Sequence, residues 1–286
     1  MRRFLFEGSH LRGVRVHLTD AWQALLARHP YPEPVIGLLG ESLAAVSLLG
    51  ATVKFDGSLI MQMSGDGPLA MLVVQATGAR TVRGMASLRD TPSETSLGSL
   101  LGKGHLAMTI DPGAGKERYQ GIVGLDGDAL SQVLDGYFAN SEQLPTRLWL
   151  AADEQHAAGL LLQALPSEEP DVRTWERLTM MADTVKPGEL LSLPSRSLLR
   201  RLFTSDQVRL FDPEAIAFEC RCSRERVSGM LRTLSLAELL ETAEEEGGAL
   251  KVSCDFCNAA YAFDPVDLQA LFVESADAPP ASDQTH

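Results

Sequence analysis

No cysteine occurs in the first 219 residues of this 286-residue chain, and only four occur in all. A disulfide framework of the kind that staples small secreted domains is therefore excluded as the basis of the fold. Positive charge is also scarce: 25 Lys and Arg stand against 38 Asp and Glu, for a formal net charge of −13. Gripping nucleic acid needs clustered Lys and Arg, so nucleic acid is excluded as the main partner. Reaction-centre motifs are missing as well. There is no Gly-x-Ser-x-Gly elbow and no His-Glu-x-x-His, and the six histidines are scattered away from the cysteines. Gly102-Lys103 and Gly115-Lys116 lack the glycine five residues earlier and the following Ser or Thr of a phosphate loop. No internal repeat is visible. These absences argue against an enzyme.

An export signal is missing too. Arg2-Arg3 imitates a basic n-region, but the apolar run after it stops at Glu7. The most apolar stretch, Val35 to Val53, is long enough to suggest a membrane span, yet it carries Glu41 and opens after Pro34. A charge at its centre would be costly in lipid, and proline suits a first helical turn, so the stretch reads as a buried helix. The expected setting is the cytoplasm, with no membrane partner. At 45% hydrophobic residues the chain has ample material for one large or two modest domains.

What is present gathers near the C-terminus. Cys220-Arg-Cys222 and Cys254-Asp-Phe-Cys257 are two close pairs separated by 31 residues. That pattern brings four soft thiolates to one tetrahedral ion, and zinc prefers such a set. Four sulfurs leave no open coordination position, which points to a structural site and away from hydrolysis. The Cys-x-Cys pair is tighter than the commoner Cys-x-x-Cys, so its sulfurs stay close even without metal and invite oxidation. Four unconnected buried thiols are the bland alternative. Residues 214–273 carry eleven acidic and five basic side chains, whereas a zinc ribbon that grips DNA is normally basic.

Along the chain, Asp20 is expected to cap a short helix over 21–27, followed by the long helix from Val35. Alternating runs at 59–63, 69–75, 81–86, 106–110, 119–123, 147–151 and 159–165 predict strands of a largely antiparallel sheet, with a helix over 130–138. The predicted fold class is α+β: a mixed domain over 1–166, a helical linker over 167–219, a small cysteine domain over 220–273 and a disordered tail over 274–286. The boundary falls at Pro166-Ser-Glu-Glu-Pro170, which is polar and proline-bounded. Linker helices over 175–182, 188–193 and 195–203 are too short to persist alone in water. Ser223 is expected to cap one helix of the cysteine domain. Ser235 with Glu238 reads as a capping box for another, and Asp264 with Pro265 and Asp267 opens a third.

The string Phe218-Glu-Cys-Arg-Cys-Ser-Arg-Glu-Arg-Val227, followed by Cys254-Asp-Phe-Cys-Asn258 and Tyr261, resembles the bacterial redox-regulated heat-shock chaperone family named for its thirty-three-kilodalton size. Glu117-Arg-Tyr-Gln-Gly121, Ser141-Glu-Gln-Leu-Pro-Thr146, Gly159-Leu-Leu-Leu-Gln-Ala-Leu-Pro166, Phe55-Asp-Gly57 and Gly65-Asp-Gly-Pro68 fit the same family. The resemblance runs from about Phe4 to Phe272, and no departure removes a functional residue. It implies a holdase that binds unfolding client proteins without ATP when oxidants appear. It also implies that Cys220, Cys222, Cys254 and Cys257 hold one zinc ion per chain in the reduced, inactive state. Oxidation would form disulfides Cys220–Cys222 and Cys254–Cys257, release zinc, loosen a metastable linker over about 171–219 and yield a homodimer. Residues 1–166 would then serve client binding and dimerisation. Two other readings of the residues stand beside this one: a zinc-ribbon adaptor that ignores oxidants, and a thiol oxidoreductase using Cys254–Cys257. The oxidoreductase would need its Cys-x-x-Cys at a helix start after a strand, whereas here it lies between two predicted strands.

Overall fold

The structure is a computed structural model that describes residues 1–53, 56–113, 116–139, 144–167 and 171–276. It divides into two units, Met1–Glu219 and the chain from Cys220 onward. The fold is α+β, as expected, but the first unit holds two sheets where one was predicted.

The first unit opens with a hairpin of β1 (Arg2–Phe6) and β2 (Leu11–Leu18), then α1 (Asp20–Leu26) and α2 (Glu33–Thr52). Next come β3 (Ser58–Gly65), β4 (Leu69–Thr77), β5 (Thr81–Leu88), α3 (Leu97–Leu101), β6 (Gly104–Asp111), β7 (Tyr119–Gly124) and α4 (Leu130–Tyr137). The hairpin β8 (Thr146–Ala152) and β9 (Ala157–Ala164) leads to α5 (Val172–Ala182), α6 (Pro187–Ser192) and α7 (Ser195–Leu202). Two short strands, β10 (Val208–Leu210) and β11 (Ala217–Phe218), end the unit. The sheets run β10-β1-β2-β9-β8 and β11-β5-β4-β3-β6-β7. Every pairing is antiparallel except β11 on β5, where Ala217 lies opposite Thr81 and Phe218 opposite Val82.

Helix α2 sits at the centre and touches strands of both sheets. By length and composition it could cross a membrane, but 67% of its apolar window is buried inside the fold. Its small residues set the close approach: a side chain at Gly40 would meet the Ala152 methyl at 2.4 Å. Ser42 and Ser47 turn their hydroxyls back onto the Leu38 and Leu43 carbonyls, both at 2.7 Å, so neither hydroxyl is left unpaired in the core. Glu41 is the exception, because burial pushes its carboxyl up to about 7. The folded value lies above the ordinary one, so the unfolded chain releases its proton first as pH rises, and stability falls between about pH 4.5 and 7. Glu41→Gln removes that slope and is expected to raise stability by up to about 3 kcal/mol near pH 8. Urea unfolding of both proteins at about pH 5 and pH 8 reads it; a gain that does not grow with pH contradicts the account.

Strand β2 is buried on both faces. Val14, Val16 and Leu18 enter the main core with α1 and α2, while Leu11 and Arg15 turn the other way. On that second face a separate core forms from Phe4, Phe6, Leu160 and Leu162 beneath Leu178 and Ala182 of α5, Leu190 of α6, and Leu198, Leu199 and Leu202 of α7. Phe4 lies across Gly13 so closely that a methyl there would sit 2.1 Å from the ring. Residues 171–219 thus cover the five-stranded sheet and add one strand to each sheet. Asp171 caps α5 through the Thr174 amide at 3.0 Å, and Arg177 grips Asp206 with two bonds of 2.9 and 2.6 Å. Residues 168–170 of the expected linker boundary lie outside the described residues.

Two local expectations in this unit change. The N-cap of α1 is Thr19, with Asp20 already in the first turn. Strands β1 and β2 are additions to the expected strands, although Val14-Arg-Val-His-Leu18 alternates apolar and polar residues as a strand does.

The second unit contains α8 (Arg224–Leu231), α9 (Leu236–Glu245), the hairpin β12 (Leu250–Ser253) and β13 (Ala260–Phe263), and α10 (Pro265–Ala276). Its described core has seven buried residues: Leu231, Leu239, Ala243, Leu250, Phe263, Leu268 and Leu271. Ser223 caps α8 as expected, accepting from the Arg226 amide at 3.3 Å. At α9 the Ser235 hydroxyl makes no cap bond, so the expected capping box does not form. At α10 the box does form, between Asp264 and Asp267, with bonds of 2.7 and 3.2 Å. Helix α10 continues through Ala276, past the expected start of the tail at 274; residues 277–286 lie outside the described residues.

Candidate metal centre

The four cysteines arrive from two places. Cys220 and Cys222 precede α8, where the Ser223 cap turns the chain into the helix. Cys254 and Cys257 occupy the connection between β12 and β13. There the Cys254 amide donates to the Ala259 carbonyl at 3.0 Å and the Cys254 carbonyl accepts from the amides of Cys257 and Asn258 at 3.3 and 2.7 Å. The tight turn is completed by Asn258 at φ +56°, a left-handed conformation that asparagine tolerates better than most residues.

These two segments bring all four Sγ atoms within 4.8 Å of one another. The thiols are free, with Cys220 at 3.6 Å from Cys254 and Cys222 at 3.3 Å from Cys257. Sulfurs bound tetrahedrally at roughly 2.3 Å from zinc lie about 3.8 Å apart, so the donor set and its spacing suit such an ion. Soft thiolates also select zinc over magnesium or calcium.

Sequence reasoning assigned no role to Tyr261, yet its hydroxyl donates to Cys222 Sγ at 3.1 Å. That bond draws the Cys222 thiol down to about 7 and pushes the Tyr261 phenol up to about 12. Burial acts the other way on Cys257, raised to about 12, and on Cys220, also raised. Arg224 braces the site from α8. Its guanidinium lies 4.2 Å from the Phe263 ring centre and donates to the Ala262 carbonyl at 2.6 Å and the Asp267 carboxylate at 2.7 Å. The signal for both lay in the order of elements: Arg224 follows the first cysteine pair, and Tyr261 stands on the strand leaving the second.

The sequence model for "Hsp33 protein" matches residues 1–264, a span that includes all four cysteines and both sheets. The chain belongs to the Hsp33 family. It is 50% identical over 282 residues to the 33 kDa chaperonin of Nitrosococcus oceani, covering 99% of this chain and 97% of that protein. To the 33 kDa chaperonin of Ectopseudomonas mendocina it is 45% identical over 287 residues, covering 98% of this chain and 97% of that protein. The crystal structure of the 33 kDa chaperonin from Thermotoga maritima superposes with a TM-score of 0.82, covering 97% of this chain and 99% of that one. At 21% identity that likeness shows the Hsp33 fold. Membership in a family of chaperones agrees with the missing reaction-centre motifs, and within it the four clustered thiols are the group that could hold a metal.

Proposed function

We propose that this Hsp33-family chain is an ATP-independent holdase switched on by oxidation, with Cys220, Cys222, Cys254 and Cys257 as the zinc ligands of its resting state. The observation that carries the reading is the convergence of four free thiols on one point in a family of chaperones. Bound zinc would keep the sulfurs as thiolates and close the fold of the second unit. Each pair then acts as a two-electron donor. One thiolate attacks a peroxide oxygen, the O–O bond breaks, hydroxide leaves and a sulfenic acid forms. The second thiolate attacks that sulfur, forming the S–S bond as hydroxide leaves. In the pairing that the family resemblance implies, the products are Cys220–Cys222 and Cys254–Cys257, and no thiolate remains to hold metal.

Residues 171–219 would transmit the change. Their helices have 11, 6 and 8 residues, lengths that depend on packing against the five-stranded sheet. Cys220 follows β11 by two positions, and β11 is held by a two-residue pairing and by Arg28, 4.3 Å from the Phe218 ring centre. Losing order from Cys220 onward would weaken that anchor and free the apolar faces of α5, α6 and α7, together with the sheet beneath them, for unfolding clients. Thiols that must stay reduced to hold zinc suit a cytoplasmic setting. A homodimer is the expected oxidised assembly.

The test is suppression of client aggregation by reduced and oxidised protein without ATP, beside thiol counting and peptide mapping of the disulfides. Oxidation with peroxide and mild heat should remove four thiols, link 220 to 222 and 254 to 257, and turn suppression on. Equal suppression in both redox states would leave the zinc-ribbon adaptor as the better reading. Links between 220 and 254 would overturn the pairing alone.

A further inference from the structure

Arg15 is 1% exposed, on the face of β2 that α6 covers. Its guanidinium donates to the carbonyls of Val16 and of Leu190 in α6, and its Nε has no partner. Among the described residues no carboxylate pairs with it. Two positions along the same strand, the His17 ring bonds through Nε2 to the next carbonyl of α6, that of Leu191, at 2.7 Å. His17 lies at the solvent rim, with the His156 ring 5.0 Å away. So α6 rests on two side chains of β2, one a buried cation and the other able to become one.

The charges that act on His17 directly are positive or can become so. They are Arg15 on its own strand, the amino group of Met1 beside β1, and His156 from the β8–β9 turn once protonated. The nearby acids are committed elsewhere: Asp153 to the amides of Gln155 and His156 and to the His156 ring, Glu214 to Arg3 and Arg80, and Glu189 of α6 to Arg201. Asp135 and Asp183 hold Arg147 of β8.

We infer that Arg15 and His17 form an electrostatic latch under α6 that loosens as pH falls, so that acid primes release of this helix without any change in the cysteines. A buried cation without a counter-ion is costly, and lifting α6 returns it to water. Protonating His17 adds a second charge beside the first, and lifting α6 relieves that as well. Burial, with Arg15 and His156 adding to it, holds the His17 imidazole below its ordinary value and outweighs the bond to the Leu191 carbonyl, which acts the other way. The docked helix therefore favours neutral His17, and the undocked form takes up its proton near the ordinary value of about 6.5. Docking is strongest above that pH and weakens as pH falls through it. Any effect on client binding rests on the function proposed above; the latch itself does not.

The test is hydrogen exchange of the Leu190 and Leu193 amides in the reduced, metal-loaded full chain, normalised to intrinsic rates, at about pH 7.5 and pH 5.5. Both amides bond within α6, to the Lys186 and Glu189 carbonyls. Their protection is expected to fall several-fold at the lower pH while β9 amides hold theirs. His17→Gln should flatten the response, and Arg15→Met should raise protection about tenfold at both pH values. Should Arg15→Met not fold, His17→Gln still decides. A wild-type response absent, or equal in His17→Gln, overturns the latch, whatever the aggregation assay shows. Loss of client suppression with the exchange pattern intact would instead overturn the holdase reading.

Discussion

Chelating the metal from reduced protein is expected to abolish amide protection across 220–276 and to leave the sheets of the first unit protected. The asymmetry follows from the two cores. The second unit has seven buried residues in its described core, and two short strands of four residues each. A unit of that size is left with marginal stability once apolar burial is set against the entropy of ordering its chain. Structural zinc supplies about 10–16 kcal/mol of apparent folding free energy to modules of this kind. The first unit folds around α2 and two sheets and draws on no thiol. Hydrogen exchange of loaded and chelated samples measures the effect. Unchanged protection in β12, β13 and α10 after complete chelation would show that the apolar core suffices. Cys257→Ser should mimic chelation, because three thiolates and a hydroxyl hold zinc far less tightly.

The second large effect is expected at Leu198. It is fully buried, in α7, within the core shared with Phe4, Phe6, Leu160 and Leu162. Leu198→Ser deletes buried methyl groups and leaves a hydroxyl in their place, at a cost of about 3 kcal/mol or more. An eight-residue helix has no independent stability to absorb that loss, so α7 should undock. If the apolar faces of 171–219 and the sheet beneath them hold clients, this variant should suppress aggregation while its four thiols remain reduced and its metal bound. Aggregation assays, thiol counts and metal content on the same sample report the result. A variant whose α7 amides lose protection but which still needs oxidant would falsify the claim that undocking is the activating step.

How much of this was legible in the sequence differs between elements. The cysteine pairs were legible as one cluster because two close pairs of a rare residue, gathered in one segment, allow a single site. The capping residues of α8 and α10 were legible for a related reason: a cap is a local bond between residues three apart, set by side-chain type. Ser235 shows the limit, since its hydroxyl makes no cap bond despite a matching pattern. The strands β3 to β9 announced themselves through alternation or apolar runs. Strand β2 alternates too, at Val14-Arg-Val-His-Leu18, but nothing local to it shows that helices cover the face on which Arg15 stands.

Composition and spacing alone therefore determined the fold class, the buried nature of α2, the four-thiol cluster and the marginal helices after residue 171. These depend on side-chain chemistry and on contacts within a few residues. Only the tertiary structure decided that α5, α6 and α7 cover the five-stranded sheet, that β11 joins the other sheet in parallel, that Tyr261 reaches Cys222, and that Arg15 is sealed beneath α6. Each of these joins residues distant in the chain or across a turn, and depends on which surfaces bury together. Apolar burial is non-directional, so a sequence can show that a face is sticky without showing what it meets.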